Sequence, residues 1–358
     1  MYCRMRIRHI IVALAILLSV APLAAREPTD MIVLDNGDRL TGEIKRLKAG
    51  VLYLSLNYVD GTIEVQWSKI TSLQTRQLFI IQTQDGSLYT GSLVTPDRSS
   101  SAPVVIRVAE TSGTKVDMER SSIVAIGQTS QRFWQRFSGE FNSGVMQSKG
   151  NDSIQYSLGS QVEYKRERWG AKSSYSSNLS SSSGSAVSTR NQVSVGAYHF
   201  LSRGNNFYAG LGNMLQSTVQ HISIQGSVGA GIGRFLKNTD RTRISVLGGL
   251  ALQTTEYNSV TAPLNTQKVA AGLLKTDLMI FKFKKTDLNV TASFFSAFSE
   301  PSRGRTYFNT NASYYLKIIG NLDWNISFYG NWDSRPPATF SGSDYGANSG
   351  LTWTFGGR

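Results

Sequence analysis

From about residue 133 onward the chain alternates apolar and polar residues, and this constrains its fold more than any other feature. In the stretch from Ile154 to Tyr164 the apolar positions are Ile154, Tyr156, Leu158, Val162 and Tyr164. From Leu322 to Asp333 they are Leu322, Trp324, Ile326, Phe328 and Trp332, and Leu288 to Phe294 repeats the pattern. A period of two sends successive side chains to opposite faces of a strand, so each run has one apolar face and one wet face. Twelve such runs are expected, near 133–146, 153–165, 169–181, 188–201, 206–218, 223–236, 241–256, 267–282, 286–299, 305–318, 321–333 and 344–356. A tilted strand crosses a bilayer in about 9–11 residues, and single-chain bacterial barrels use an even number of strands. The expected fold class is all-β: a 12-stranded antiparallel transmembrane β-barrel.

The connections sort into two kinds. If the first hairpin loop is external, the inner turns are short: 166–168, 202–205, 237–240, 284–286 and 319–320. Several outer loops, including 258–266 and 334–343, are longer, as expected for periplasmic turns and extracellular loops. Aromatics gather near strand ends, at Phe133, Trp134, Trp169, His199, Phe200, Phe207, Tyr208, Trp324, Trp332 and Trp353, in the manner of interfacial girdles. Hydrophobic residues make up 40% of the chain, low for a soluble globule but suited to strands whose alternate residues are wet.

The front of the chain carries an export signature. Arg4, Arg6 and Arg8 precede a short apolar run, Ile10 to Val20, and small residues follow at Ala24 and Ala25. Residues 1–25 are expected to be a cleaved signal peptide, the run being too short to span a bilayer. The single cysteine, Cys3, lies within it, leaving no disulfide or thiolate metal site beyond. The formal charge is +13, or +10 without the leader, and the basic residues are scattered, many of them in turns. An exported chain does not ordinarily meet nucleic acid, so a solvated rim facing lipid phosphates is expected instead.

Residues 27–128 contain an internal repeat. The turn Asn36-Gly37-Asp38 with Leu40-Thr41-Gly42 returns 49 residues later as Asp85-Gly86-Ser87 with Tyr89-Thr90-Gly91. Gly61-Thr62 before Ile70 likewise returns as Gly113-Thr114 before Ile123. Each copy is expected to hold four or five short strands, forming either two small barrels or one joined unit. The Asn-Gly and Asp-Gly pairs suggest type I′ hairpins, and Gly42 and Gly91 sharp bends. Asp35, Asp38 and Asp85 are explained by turn chemistry rather than by an acidic site.

At the C-terminus, Asn348, Gly350, Trp353 and Phe355 are spaced like the assembly signal of outer-membrane barrels, with Leu351, Trp353 and Phe355 on one strand face. Strand pairing lets an assembly machine capture such an edge. The chain adds 356–358 beyond the aromatic with which that signal usually ends. With all these residues in view, the chain resembles the DUF481 family, also described as salt-induced outer-membrane proteins. The resemblance rests on Asn36 to Ile44, Val65 to Ile70, Trp134 to Gly144 and the Lys149-Gly150-Asn151-Asp152 stretch. The front domain, 27–128, resembles a duplicated Sm-like β domain, with the barrel at 133–358. The resemblance implies an outer-membrane location with the front domain periplasmic. It carries no catalytic residues and no cofactor.

No enzymatic activity is expected. A lipid-cleaving barrel needs a serine activated by histidine. Beyond the leader there are two histidines, and His221, with Ser217 or Ser223 nearby, lacks an orienting acid. The Gly229, Gly231, Gly233 series suggests a glycine-rich lumen face rather than a phosphate loop. Candidates for the bore are Arg136, Glu140, Glu163, Lys172, Asp323, Asn325, Asn331 and Asp333, with Gln161 also inward. They suggest either a narrow, mixed-charge channel for small polar solutes or a bore plugged by charge pairs, in a barrel that otherwise supports the envelope. The alternative function is a membrane-anchored interaction module whose front domain binds an envelope partner. Further expected partners are outer-membrane lipid, lipopolysaccharide and the barrel assembly machinery.

Overall fold

The computed structural model describes residues 29–59, 61–96, 103–110, 113–128, 137–148, 153–166, 168–182, 186–201, 205–258, 266–282, 286–299, 302–319, 321–336 and 341–355. The leader, Arg136 and the 149–152 stretch lie outside these residues.

Among the described residues the front domain has ten strands: β1 (Asp30–Leu34), β2 (Arg39–Lys48), β3 (Val51–Ser55), β4 (Thr62–Gln66), β5 (Ile70–Gln74), β6 (Phe79–Thr83), β7 (Leu88–Val94), β8 (Val105–Glu110), β9 (Lys115–Glu119) and β10 (Ile123–Gln128). The two copies join into one unit. β1 pairs with β2 and β5, and β6 pairs in the same way with β7 and β10. Each copy's last strand then crosses to the other copy, β5 to β7 and β10 to β2, closing a six-stranded ring. The hairpins β3–β4 and β8–β9 extend from β2 and β7. Both copies feed one core containing Ile32, Ile44, Leu54, Phe79, Ile81 and Ile106, all fully buried. Trp67 of the first copy donates through Nε1 to the Arg120 carbonyl of the second at 3.0 Å, and Arg120 Nη1 returns a bond to the Ile70 carbonyl.

The repeated turns are not type I′. Gly37 and Gly86 have φ of +88° and +80°, but Asn36 and Asp85 are absent from the positive-φ residues. Gly37 N donates to Leu34 O and Leu34 N to Asp38 O, with the same pair of bonds at Gly86 and Thr83. This is a three-residue loop ending in a left-handed glycine. The Asn36 and Asp85 side chains accept from the backbone N–H two residues on, which holds them on the ordinary side of φ. Nor are Gly42 and Gly91 simple bends. A Cβ on Gly42 would stand 2.5 Å from Ser55 O, and one on Gly91 would strike Ala109 O, so each admits a neighbouring backbone.

The second unit is a closed ring: β11 (Phe137–Ser148), β12 (Ser153–Lys165), β13 (Trp169–Ser181), β14 (Ser188–Phe200), β15 (Asn206–Ser217), β16 (Ile222–Asn238), β17 (Thr242–Tyr257), β18 (Thr266–Lys282), β19 (Thr286–Ala297), β20 (Thr306–Ile319), β21 (Leu322–Asp333) and β22 (Ser343–Phe355). Every neighbouring pair is antiparallel, and β22 returns to β11. From β12 onward each strand end falls within two residues of the sequence expectation. The outward face is apolar: Val195, Val228, Ile232, Leu250, Leu252 and Leu274 are exposed around the wall. Aromatics rim this belt, with Trp169, Tyr208, Trp324 and Trp353 toward one end and Trp332, Phe308 and Tyr345 toward the other. Such a belt is the surface of a transmembrane barrel.

Candidate functional site: the bore and its two mouths

Because the period is two, half of each strand faces the bore. Gly229, Gly231 and Gly233 face inward, as the alternation implies, and they make room for bulky neighbours. A Cβ on Gly233 would strike the Phe207 ring, and one on Gly229 would come within 3.2 Å of Ala251 Cβ. Against them packs a cluster of Phe207, Ala209, Leu247, Ala251 and Leu273, joined by Tyr198, Phe200, Leu211, Phe235 and Phe295. Phe207 and Phe235 lie 5.1 Å apart, centre to centre. This cluster fills one side of the bore.

The other side is polar. Glu140 faces inward and accepts from Tyr315 Oη at 3.1 Å. Glu163 on β12 stands directly opposite Lys172 on β13. Asp323 and Asn325 are buried, and Asp323 stands opposite Lys317. Asn331 and Asp333 reach two buried ion-pair networks, both near the mouth formed by the outer loops. Arg190 on β14 forms a 3.0 Å ion pair with Asp344 on β22, and both side chains are buried. Ser217 on β15 donates to the same carboxylate at 2.7 Å. Around a twelve-strand ring β22 lies four strands from β14 and five from β15, so these bonds cross the bore. Arg190 also donates to Gln192 and lies over the Tyr329 ring, and with its amide suitably turned Asn331 accepts from Arg190 and donates to Asn309. Beside this tie, Arg305 grips Asp333 through two bonds of 2.8 and 2.6 Å and donates to Tyr257 Oη and Gln267 Oε1. Deeper in, Lys275 pairs with Asp277 at 3.0 Å, and Thr291 donates to that same aspartate.

Arg190, Asp344, Arg305, Lys275 and Asp277 were not among the sequence candidates for the bore, and Ser217 was considered only as a nucleophile beside His221. One signal was available: Arg190 falls on the polar parity of its strand, with Gln192 and Ser194. Ser217 Oγ is engaged with Asp344 inside the bore, and His221 sits in the turn after β15 at φ +51°, its N–H donating to Thr218 O. His199 is on the outward face, in register with Trp169 and Tyr208.

The C-terminal residues form the closing seam. Among the described residues β11 and β22 pair over Gly139–Ser143 against Leu351–Phe355. Trp353 and Phe355 point outward and stack with each other at 6.0 Å and with Phe141 at 6.5 and 5.5 Å. A Cβ on Gly350 would strike the Ser143 carbonyl. Asn348 points inward, accepting from Gln155 at 2.8 Å and donating to Asn178 at 2.7 Å.

At the opposite mouth, formed by the short turns, the front domain touches the barrel at three places among the described residues. Asn205, in the turn just before β15, donates from its backbone to Asp85 O at 3.1 Å and from Nδ2 to Gln84 O at 2.7 Å. Glu64 on β4 pairs with Lys317 near the end of β20. Gly50 lies against Asp240, in the turn after β16, where a Cβ would be 3.2 Å from the carboxylate. Asp85 itself is partly buried, which raises its pKa. The hydrogen bonds from Thr83 and Ser87 outweigh this and leave it below the usual carboxylate range.

A family model described as "Protein of unknown function, DUF481" matches residues 142–355. No curated protein matches the chain. Similar solved structures include the translocator domain of the autotransporter NalP from Neisseria meningitidis (16% identity, TM-score 0.32, covering 61% of this chain and 87% of that one). A Pseudomonas aeruginosa FadL homologue is similar at 7% identity and TM-score 0.26, covering 77% of this chain and 86% of that one. The loop-deleted outer membrane protein OmpT of Vibrio cholerae is similar at 10% identity and TM-score 0.24, covering 91% and 96%.

Proposed function

The chain belongs to the DUF481 family, and from that premise we propose that it is an outer-membrane barrel serving as a narrow pore for small polar solutes, with the front domain in the periplasm over the inner mouth. The observation that carries this reading is the Arg190–Asp344 bond across the bore. A barrel needed only as an anchor can fill its interior with apolar side chains, as the cluster around Phe207 does on one side. A buried ion pair is a costly alternative, because desolvating two charges often cancels their attraction. Placed across the outer mouth, the pair makes a constriction that can open when its bonds exchange for water. The apolar belt and its aromatic rims support the membrane setting, and the docking of the front domain on short inner turns supports its periplasmic side.

Planar-bilayer recording tests the reading. The wild type should conduct weakly, and the paired substitution Arg190→Gln with Asp344→Asn, which removes both charges without leaving one unpaired, should raise conductance. No current from either protein, with both shown to be folded by their shift on a gel when heated, sinks the pore. A second reading has one observation in its favour. Among the described residues strand β9 pairs only with β8, leaving an edge that another envelope protein can extend by strand addition. Photocrosslinking from position Lys115 in intact cells checks it, and an absence of adducts counts against a partner on that edge.

A further inference from the structure

The charges of the bore are not spread evenly along it. Arg190, Asp344, Arg305 and Asp333 lie near the outer mouth. Glu140, Glu163, Lys172, Lys275, Asp277 and Asp323 lie toward the inner one. At most strand midpoints the inward residues are uncharged, among them Asn142, Ser174, Ser194, Asn311 and Ser327, with Gly159, Gly229 and Gly350 between them; Lys275, one residue past the midpoint of β18, is paired with Asp277. These are small side chains, and small side chains leave room. Asn311 faces inward yet is among the exposed residues, so the bore is open to solvent at this height. The wall there is also organised. Gln192 and Ser194 both donate to Asn213 Oδ1, at 3.0 and 2.9 Å. Adjoining this polar wall is the apolar one: Leu211, two residues along β15 from Asn213, packs with the cluster that includes Leu273 and Phe295.

We propose that this middle section is a binding chamber for a neutral, hydroxyl-rich solute of monosaccharide size. The inference rests on the pore reading given above and names the class of solute that pore admits. An amide and hydroxyl wall replaces the water lost by a ring's hydroxyl groups. The apolar wall covers its C–H faces. The charges nearest this level are already paired, Arg190 with Asp344 and Arg305 with Asp333 toward the outer mouth and Lys275 with Asp277 toward the inner one, so an ion gains little from them. It therefore bears its desolvation cost without compensation.

The test is solute-driven swelling of proteoliposomes containing the full chain, either wild type or the Arg190→Gln, Asp344→Asn protein. The probes are glucose, gluconate and glucosamine, which share a size and differ in charge, and salt current is recorded on the same preparations. Glucose should enter about tenfold faster than either charged analogue, a difference of about 1.4 kcal/mol in barrier. Asn213→Leu, checked for folding by its heat shift, should slow glucose and leave salt current unchanged. Equal rates for the three probes, or faster entry of a charged one, overturn the proposal. Salt current without glucose entry overturns it while leaving the pore intact. No swelling and no current from either protein removes the pore and the chamber together.

Discussion

Gly37 and Gly86 occupy equivalent turns with nearly equal φ, yet their surroundings differ. Nothing lies within 4 Å of a Cβ built on Gly37, whereas a Cβ on Gly86 would stand 2.7 Å from Asn205 N and Oδ1. Alanine at either site incurs the left-handed penalty, roughly 1–2 kcal/mol. Only Gly86→Ala should also loosen the front domain from the barrel, seen as faster protease cleavage between the two units. Asp85, in the same turn, gives a pH dependence. Its pKa is lowered in the folded state, so its contribution to stability is fully present above the ordinary carboxylate value, about 3.9, and is lost as pH falls through the lower folded value. Protease resistance of the junction should fall in that acidic range in the wild type, and less so in Asp85→Asn. The sequence showed a turn at both glycines but not its type. The same dipeptide serves two hairpin geometries, and side-chain bonds to residue 38 or 87 decide between them.

The strands were legible because alternation is a local property, needing no knowledge of what lies opposite. The same parity placed Glu140, Glu163, Lys172, Asp323, Asn325, Asn331 and Asp333 on the inward face. It could not reveal the Arg190–Asp344 tie. Its partners are 154 positions apart and meet only after the ring closes, so their pairing depends on strand number and stagger. The closing seam carries a prediction of its own. Gly350→Ala places a methyl against Ser143 O and should hinder closure, reducing the heat-shifted folded band. Phe141→Ala removes one ring of an exposed stack and should have a smaller effect.

For the molecule as a whole, the outcome to check is how its two units are joined. Glu64 and Lys317 are 253 positions apart and belong to different units. Glu64→Lys should weaken docking, and Lys317→Glu in the same chain should restore it, read by protease sensitivity of the junction. As the pair is only partly buried, the coupling should be modest, on the order of 1 kcal/mol. Its sign is the test, and no recovery in the charge-swapped chain counts against the contact.

The two halves of the front domain are nearly interchangeable in shape but not in what they present. Where the first half offers Glu64 to the barrel, the second has Asp117 held by its own Arg107. Where the second half offers Gly86 to Asn205, the first has Gly37 facing solvent. The domain is therefore a keyed coupling: turned by half a revolution it keeps its outline and loses its fit. A chain with the order of the two halves exchanged should still build the six-stranded ring, but with its docking residues carried to the wrong side.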